Sequence, residues 1–209
     1  PVGYLERLRE ICTAHGILLV FDEVITGFGR TGHAFAAQAF NVTPDMITMA
    51  KAITNGAQPM AAVAVRREIH DTIMAASPAD QPELFHGYTF SAHPASCAAS
   101  LAALKIYEDE RLFDRAAQLS AYFQDAIYAL ADLPVVTDIR SFGMLAGIDL
   151  QPLEKPGLRG HLVQKRLFDA GLHLKTTGDA AVLAPAFIAT TEEIDRIAAI
   201  LRDTLAECR

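Results

Sequence analysis

Asp22 and Lys51 are the residues of this chain best placed to do chemistry. Asp22 closes the run Gly16-Ile17-Leu18-Leu19-Val20-Phe21, and Lys51 closes Met46-Ile47-Thr48-Met49-Ala50. Both runs read as buried strands, and open α/β sheets bind their ligands beyond the carboxyl ends of such strands. A lysine there can condense with a carbonyl, provided low-dielectric surroundings help the amine to shed its proton. An aspartate there can hold a protonated ring nitrogen or a cation.

Taken singly, each has a plainer reading. An aspartate after a strand can cap the next loop, and the pair Asp22-Glu23 could hold magnesium. No GxxxxGK[ST] phosphate loop accompanies the pair, as a nucleotide site would require. A lysine at a strand end can be merely solvated. Together the two suit pyridoxal 5'-phosphate, whose carbonyl takes a lysine amine and whose pyridine nitrogen is kept protonated by a carboxylate. His86 and His93 invite a metal or base role, but no third ligand lies at a useful spacing, so they read as structural.

The chain that must position these groups has 209 residues, 51% hydrophobic and 21% charged, an ordinary globular composition with enough length for a sizeable core. A formal charge of −7 with scattered Lys and Arg argues against a nucleic-acid surface. Cys12, Cys97 and Cys208 form no CxxC and leave an odd thiol, which points to a reducing, cytoplasmic setting. No stretch approaches the roughly 18 apolar residues of a membrane helix, and Pro1-Val2-Gly3-Tyr4 lacks the regions of a signal peptide. Without an initiating Met, the chain enters a helix almost at once, as an expressed fragment or an incomplete gene product would.

Leu5, Leu8, Ile11 and Cys12 repeat at helical spacing and predict a helix from Tyr4 to Ala14, with Gly16 closing it before a strand from Ile17 to Phe21. Gly27-Phe28-Gly29-Arg30-Thr31-Gly32 is a loop whose backbone could approach a ligand or a neighbouring subunit. Strands follow from Met46 to Met49 and from Met60 to Val65, with a short helix from Arg66. Pro94 can open an Ala-rich helix to about Glu108, and a second helix runs from Leu112 to about Leu130. Beyond it come strands at Val135 to Ile139, Met144 to Leu150, Leu172 to Leu174 and Ala181 to Leu183. Helices at Gly160 to Ala170 and Glu192 to Ala206 complete a small α+β domain, the last opened by the capping box Thr190 and Glu193.

Three strings stand in register: GILLVFDEVITGFGRTG from Gly16 to Gly32, PDMITMAKAITNG from Pro44 to Gly56, and HGYTFSAHP from His86 to Pro94. Together they resemble the class III aminotransferases, fold-type I pyridoxal-phosphate enzymes. RSFGMLAGIDL from Arg140 to Leu150, with Gly171 to Pro185, looks most like the ω-amino acid:pyruvate branch, which includes β-alanine:pyruvate transaminase. The resemblance runs from near Tyr4 to the C-terminus. It implies an α/β fold: residues 1–110 as the C-terminal part of a cofactor-binding large domain with a mixed, mainly parallel sheet, and residues 111–209 as a small α+β domain.

The resemblance also implies roles. Lys51 would hold pyridoxal phosphate as a Schiff base and then shuttle a proton, Asp22 would pair with the pyridinium nitrogen, and Val24 would pack on one ring face. Thr89 would donate to the cofactor phosphate across a homodimer interface. Where the ω-amino acid branch has an arginine for the substrate carboxylate, this sequence has Lys175, which supplies charge without the planar fork. The implied partners are an amino donor and an oxo-acid acceptor, with no nucleic acid and no membrane. An aminomutase or a decarboxylating transaminase would share the same anchors. Family members are longer, so the chain resembles a C-terminal portion, and a non-catalytic role in assembly is the alternative from another class.

Overall fold

The structure, a computed structural model, describes residues 1–81, 84 and 89–208. The chain forms two compact units, one from residues 1–28 and 34–111, the other from residues 29–33 and 112 onward.

In the first unit, helix α1 spans Tyr4–Ala14 and ends where Gly16 takes a φ of +63°. The predicted strand at Ile17 begins later, as β1, Val20–Asp22. Donor accounting explains the delay: the Ile17 N–H returns to Cys12 O, and the Leu19 N–H goes to the Asp45 carboxylate. The short helix α2 is Ala36–Ala39, β2 is Met46–Met49 and β3 is Ala62–Val65. Strand β1 runs parallel to β2, with Asp22 opposite Thr48, and β3 runs antiparallel to β2, with Met49 opposite Ala62. The sheet is therefore mixed, with the order β1-β2-β3. Leu19, Phe21 and Val42 form its small core, against Leu5, Cys12, Ala37 and Ile47. Helices α3, Arg67–Ala76, and α4, Pro94–Asp109, complete the unit, and α4 starts on Pro94 as the sequence predicts.

The second unit holds most of the hydrophobic core. Helix α5 is Leu112–Tyr128, β4 is Val136–Phe142, β5 is Leu145–Leu150 and α6 is Leu158–Asp169. They are followed by β6, Lys175–Thr177, β7, Ala180–Leu183, and α7, Thr191–Ala206. The sheet is antiparallel throughout, in the order β4-β5-β7-β6. Burial alternates along β5, so Ala146, Ile148 and Leu150 face the core with Phe123, Ile127, Leu167 and Leu201 of the helices. The capping box of α7 is present: Thr190 Oγ1 accepts from the Glu193 N–H at 3.2 Å, and Glu193 Oε2 accepts from the Thr190 N–H at 2.9 Å.

One element is displaced from its predicted place. Leu172–Leu174 is not a strand, because the Leu172 N–H closes the end of α6 on Leu167 O at 2.8 Å. The ladder starts three residues later, at Lys175 opposite Val182.

Among the described residues, the glycine-dense loop makes close approaches to its own chain. A Cβ on Gly27 would meet Glu23 O at 2.8 Å, and one on Gly29, whose φ is +101°, would meet the Phe113 ring at 2.5 Å. Residues 29–33 belong to the second unit. There Arg30 donates to Met144 O at 3.0 Å and Pro185 O at 2.7 Å, with its guanidinium carbon 4.5 Å from the centre of the Phe187 ring.

Candidate functional site

The parallel register of β1 and β2 carries Asp22 and Lys51 to the same end of the first unit's sheet. Asp22 is the last residue of β1 and faces Thr48, and Lys51 follows two residues after β2 ends at Met49. Asp22 is solvent-exposed and its carboxylate is already oriented. Asp22 Oδ1 accepts from the Val24 N–H at 3.1 Å and from Thr48 Oγ1 at 3.1 Å, and no described residue donates to Oδ2. One oxygen is held and the other is open, which fits an acceptor for a ring N–H.

Lys51 opens a single 3-10 turn, Lys51–Ile53, with a φ of +45°, in the left-handed region that non-glycine residues seldom enter. Such strain persists only where surrounding structure imposes it. Lys51 O accepts from the Gly56 N–H at 3.3 Å, and Thr54 Oγ1 donates to Gln58 O at 2.6 Å. From α4, the Tyr107 hydroxyl donates to Ala52 O at 2.7 Å and Ser96 Oγ to Pro59 O at 3.2 Å. The backbone around Lys51 is thus pinned at four points while its amine makes no hydrogen bond or ion pair with any described residue. The low-dielectric surroundings expected for that amine are not supplied by these residues, since Lys51 is exposed. A strand-end lysine needs walls on several sides to be desolvated, and β3 beside it is an exposed edge.

Two further carboxylates, Glu23 and Asp45, hold this edge together. Glu23 is 1% exposed, and strand alternation turns it away from Asp22. Its Oε2 accepts from the Ala36 N–H at 2.6 Å and Thr26 Oγ1 at 3.1 Å, and its Oε1 from the Ala37 N–H at 2.8 Å. Both Glu23 oxygens are thereby taken up, which counts against the magnesium alternative: Glu23 ties α2 to β1. No cluster of three His, Cys, Asp or Glu able to hold a metal occurs among the described residues. Asp45 Oδ2 accepts from Arg9 Nη1 and from the Leu19 N–H, both at 2.7 Å, and Arg66 lies 3.4 Å from Oδ1. Chiefly the Arg9 hydrogen bond holds the Asp45 carboxyl below its ordinary pKa. The signal for Asp45 was its place just before a strand; its partners lie 26 and 36 residues away, beyond any local pattern.

The remaining residues are placed as follows. Val24 is half-buried in the turn after β1, and Thr89 is exposed ahead of α4. His86 and Tyr88 lie outside the described residues, His93 caps α4 and Phe90 is 83% exposed. In the second unit, Lys175 is the exposed first residue of β6, and no described residue pairs with its ammonium. Its strand is fixed from the other face, where Thr176 Oγ1 donates to Gln164 at 2.8 Å, and from the following turn, where Asp179 accepts from the N–H groups of Gly157 at 2.8 Å and Gly160 at 3.0 Å. Those backbone donors hold the Asp179 carboxyl below its ordinary pKa.

Comparison with known proteins places this geometry. The family model for class III aminotransferases matches residues 1–205. The chain is 52% identical to an omega-aminotransferase of Caulobacter vibrioides over 99% of this chain and 47% of that protein. It is 45% identical to a beta-alanine–pyruvate aminotransferase of Pseudomonas aeruginosa over 94% of this chain and 44% of that protein. The solved structure of an (S)-enantioselective omega-transaminase from Thermomicrobium roseum superposes with a TM-score of 0.91 at 33% identity, covering 99% of this chain and 47% of that one. The chain thus spans about half the length of the relatives it matches. Its fold is that of part of a fold-type I α/β enzyme.

Proposed function

The chain belongs to the class III aminotransferases, and from that premise we propose that it works in a transaminase moving an amino group from an ω-amino acid such as β-alanine, or from an amine, to pyruvate or another 2-oxo acid. The observation that carries the reading is the shared sheet edge: among the described residues, a lysine without a partner on a pinned turn, beside an aspartate with one oxygen held and the other open. Pyridoxal phosphate, the cofactor of this family, supplies a carbonyl that condenses with amines and a ring that accepts electrons from the carbon beside the amine.

Lys51 Nζ would hold the cofactor and would carry a proton from and to the substrate carbon that bears nitrogen. Asp22 Oδ2 would accept the ring N–H and would keep that nitrogen protonated. Val24 would pack against a ring face. Thr89 would donate its hydroxyl to the cofactor phosphate of a second protomer in a homodimer. Lys175 attracts the substrate carboxylate as a point charge. Residues 1–110 act as the C-terminal part of the cofactor-binding domain and residues 111–209 as the small domain. The three unpaired cysteines support a reducing, cytoplasmic setting.

The test is absorbance of the polypeptide as the cell makes it, with pyridoxal phosphate, before and after borohydride. A reducible linkage at Lys51 that disappears in Lys51→Ala is expected. Full turnover by Lys51→Ala, or no linkage in the parent protein, overturns the proposal. Cofactor titration of the 209-residue chain separates a binding unit from a purely structural one.

A further inference from the structure

We infer that Thr48 is a positioning residue for the ring-nitrogen end of this site, its hydroxyl joining the Val24 amide to load Asp22 Oδ1 and thereby present Oδ2. The inference rests on the proposed role of Asp22. Three observations carry it. Thr48 stands opposite Asp22 in the parallel ladder, on the adjacent strand. Its hydroxyl lies 3.1 Å from Asp22 Oδ1, the same oxygen that takes the Val24 N–H at 3.1 Å. No described residue donates to Oδ2.

A lone aspartate at a strand end can rotate about both side-chain bonds and offer either oxygen. Two donors from different directions on one oxygen remove that freedom before any ligand arrives, so less ordering remains to be done on binding. Thr48 suits the task because branching at Cβ restricts its first torsion, and the strand backbone therefore aims the hydroxyl. Valine would have the same shape without the donor. Thr48 itself touches no reacting atom; it acts through Asp22.

Thr48→Val and Thr48→Ser are compared with the parent in the polypeptide as the cell makes it. Three measurements are made: the dissociation constant of the apo-protein for pyridoxal phosphate, the Asp22 rotamer in the apo crystal structure, and the apo thermal midpoint. Thr48→Val is expected to weaken cofactor binding roughly five- to tenfold, the loss of one hydrogen bond to a charged acceptor, with Asp22 rotated. The midpoint should change little, and Thr48→Ser, which keeps the donor without the branching, should recover most of the binding that Thr48→Val loses.

Unchanged affinity in Thr48→Val overturns the inference and leaves the reading of Lys51 and Asp22 standing. So does a Thr48→Ser variant as weak as Thr48→Val, or a loss of affinity matched by loss of thermal stability with Asp22 unmoved. A parent protein with no borohydride-reducible linkage at Lys51 overturns the reading of the site, and this inference with it.

Discussion

Tyr107, 7% exposed on α4, donates a 2.7 Å hydrogen bond from its hydroxyl to the carbonyl of Ala52, the residue that follows Lys51. A helix 55 residues away in sequence thus holds the turn from which the lysine projects. Tyr107→Phe keeps the ring in the core and removes the donor. It should cost about 1–2 kcal/mol and lower the thermal midpoint by several degrees. Borohydride trapping at Lys51 should slow at the same time, because the strained turn loses one of its restraints. An unchanged midpoint and trapping rate would show that the other contacts suffice.

Asp45 makes stability depend on pH. Its folded-state pKa lies below the ordinary value of 3.8, through the Arg9 hydrogen bond first and the Leu19 N–H next. A depressed carboxylate pKa means that the contribution is fully present above the unfolded value and is lost as pH falls through the folded one. The midpoint of the parent should therefore fall on going below about pH 4. Asp45→Asn should cost about 1.5–3 kcal/mol at neutral pH and flatten that acid slope. A variant whose acid slope matches the parent's would assign the slope to other carboxylates.

Gly143 turns between β4 and β5 with a φ of +60°, and an added Cβ would lie 2.5 Å from Arg30 O and 2.6 Å from Thr31 Cα. Neither neighbour is a flexible side-chain end. Gly143→Ala should therefore cost about 3 kcal/mol, from a strained backbone and a forced separation. Limited proteolysis should then cut near Arg30, which loses its seat against the Met144 N–H, 2.9 Å away. Resistance to cleavage there would show that the Arg30 side chain anchors the segment unaided.

Lys175 offers a direct test of substrate class. Lys175→Ala should raise KM for donors carrying a carboxylate by about tenfold while leaving simple amines nearly unaffected. Lys175→Arg restores a planar two-donor fork and should lower KM for the same carboxylate donors below that of the parent. Equal effects on both donor classes would remove Lys175 from the substrate site.

Much of this was readable from local pattern, and what was not has a common cause. Helix α1, the Pro94 start of α4 and the Thr190–Glu193 box depend on neighbours within a few residues, and they stand where the sequence puts them. The strand starts at Ile17 and Leu172 were misplaced because apolar runs do not reveal which N–H groups are already taken by a helix end or by Asp45. The edge holding Asp22 and Lys51 followed from two strand-end polar groups. The loading of Asp22 by Thr48 did not, since it requires the register of a parallel pair joined by a long crossover. Glu23 looked like a partner for Asp22 and is instead the anchor of α2, a distinction that burial alone reveals.

The five residues 29–33 have a consequence for how the chain matures. The carbonyls that receive the Arg30 side chain stand 114 and 155 residues further along the chain, so they are made after it. Until those arrive, the segment has no place to dock, and closing so long a loop is slow compared with forming a local helix. The second unit accordingly closes only after those later residues have been made, using a segment synthesised well before them. A cut between Arg111 and Leu112 would not liberate an intact module but would orphan the strap on the wrong side of the break.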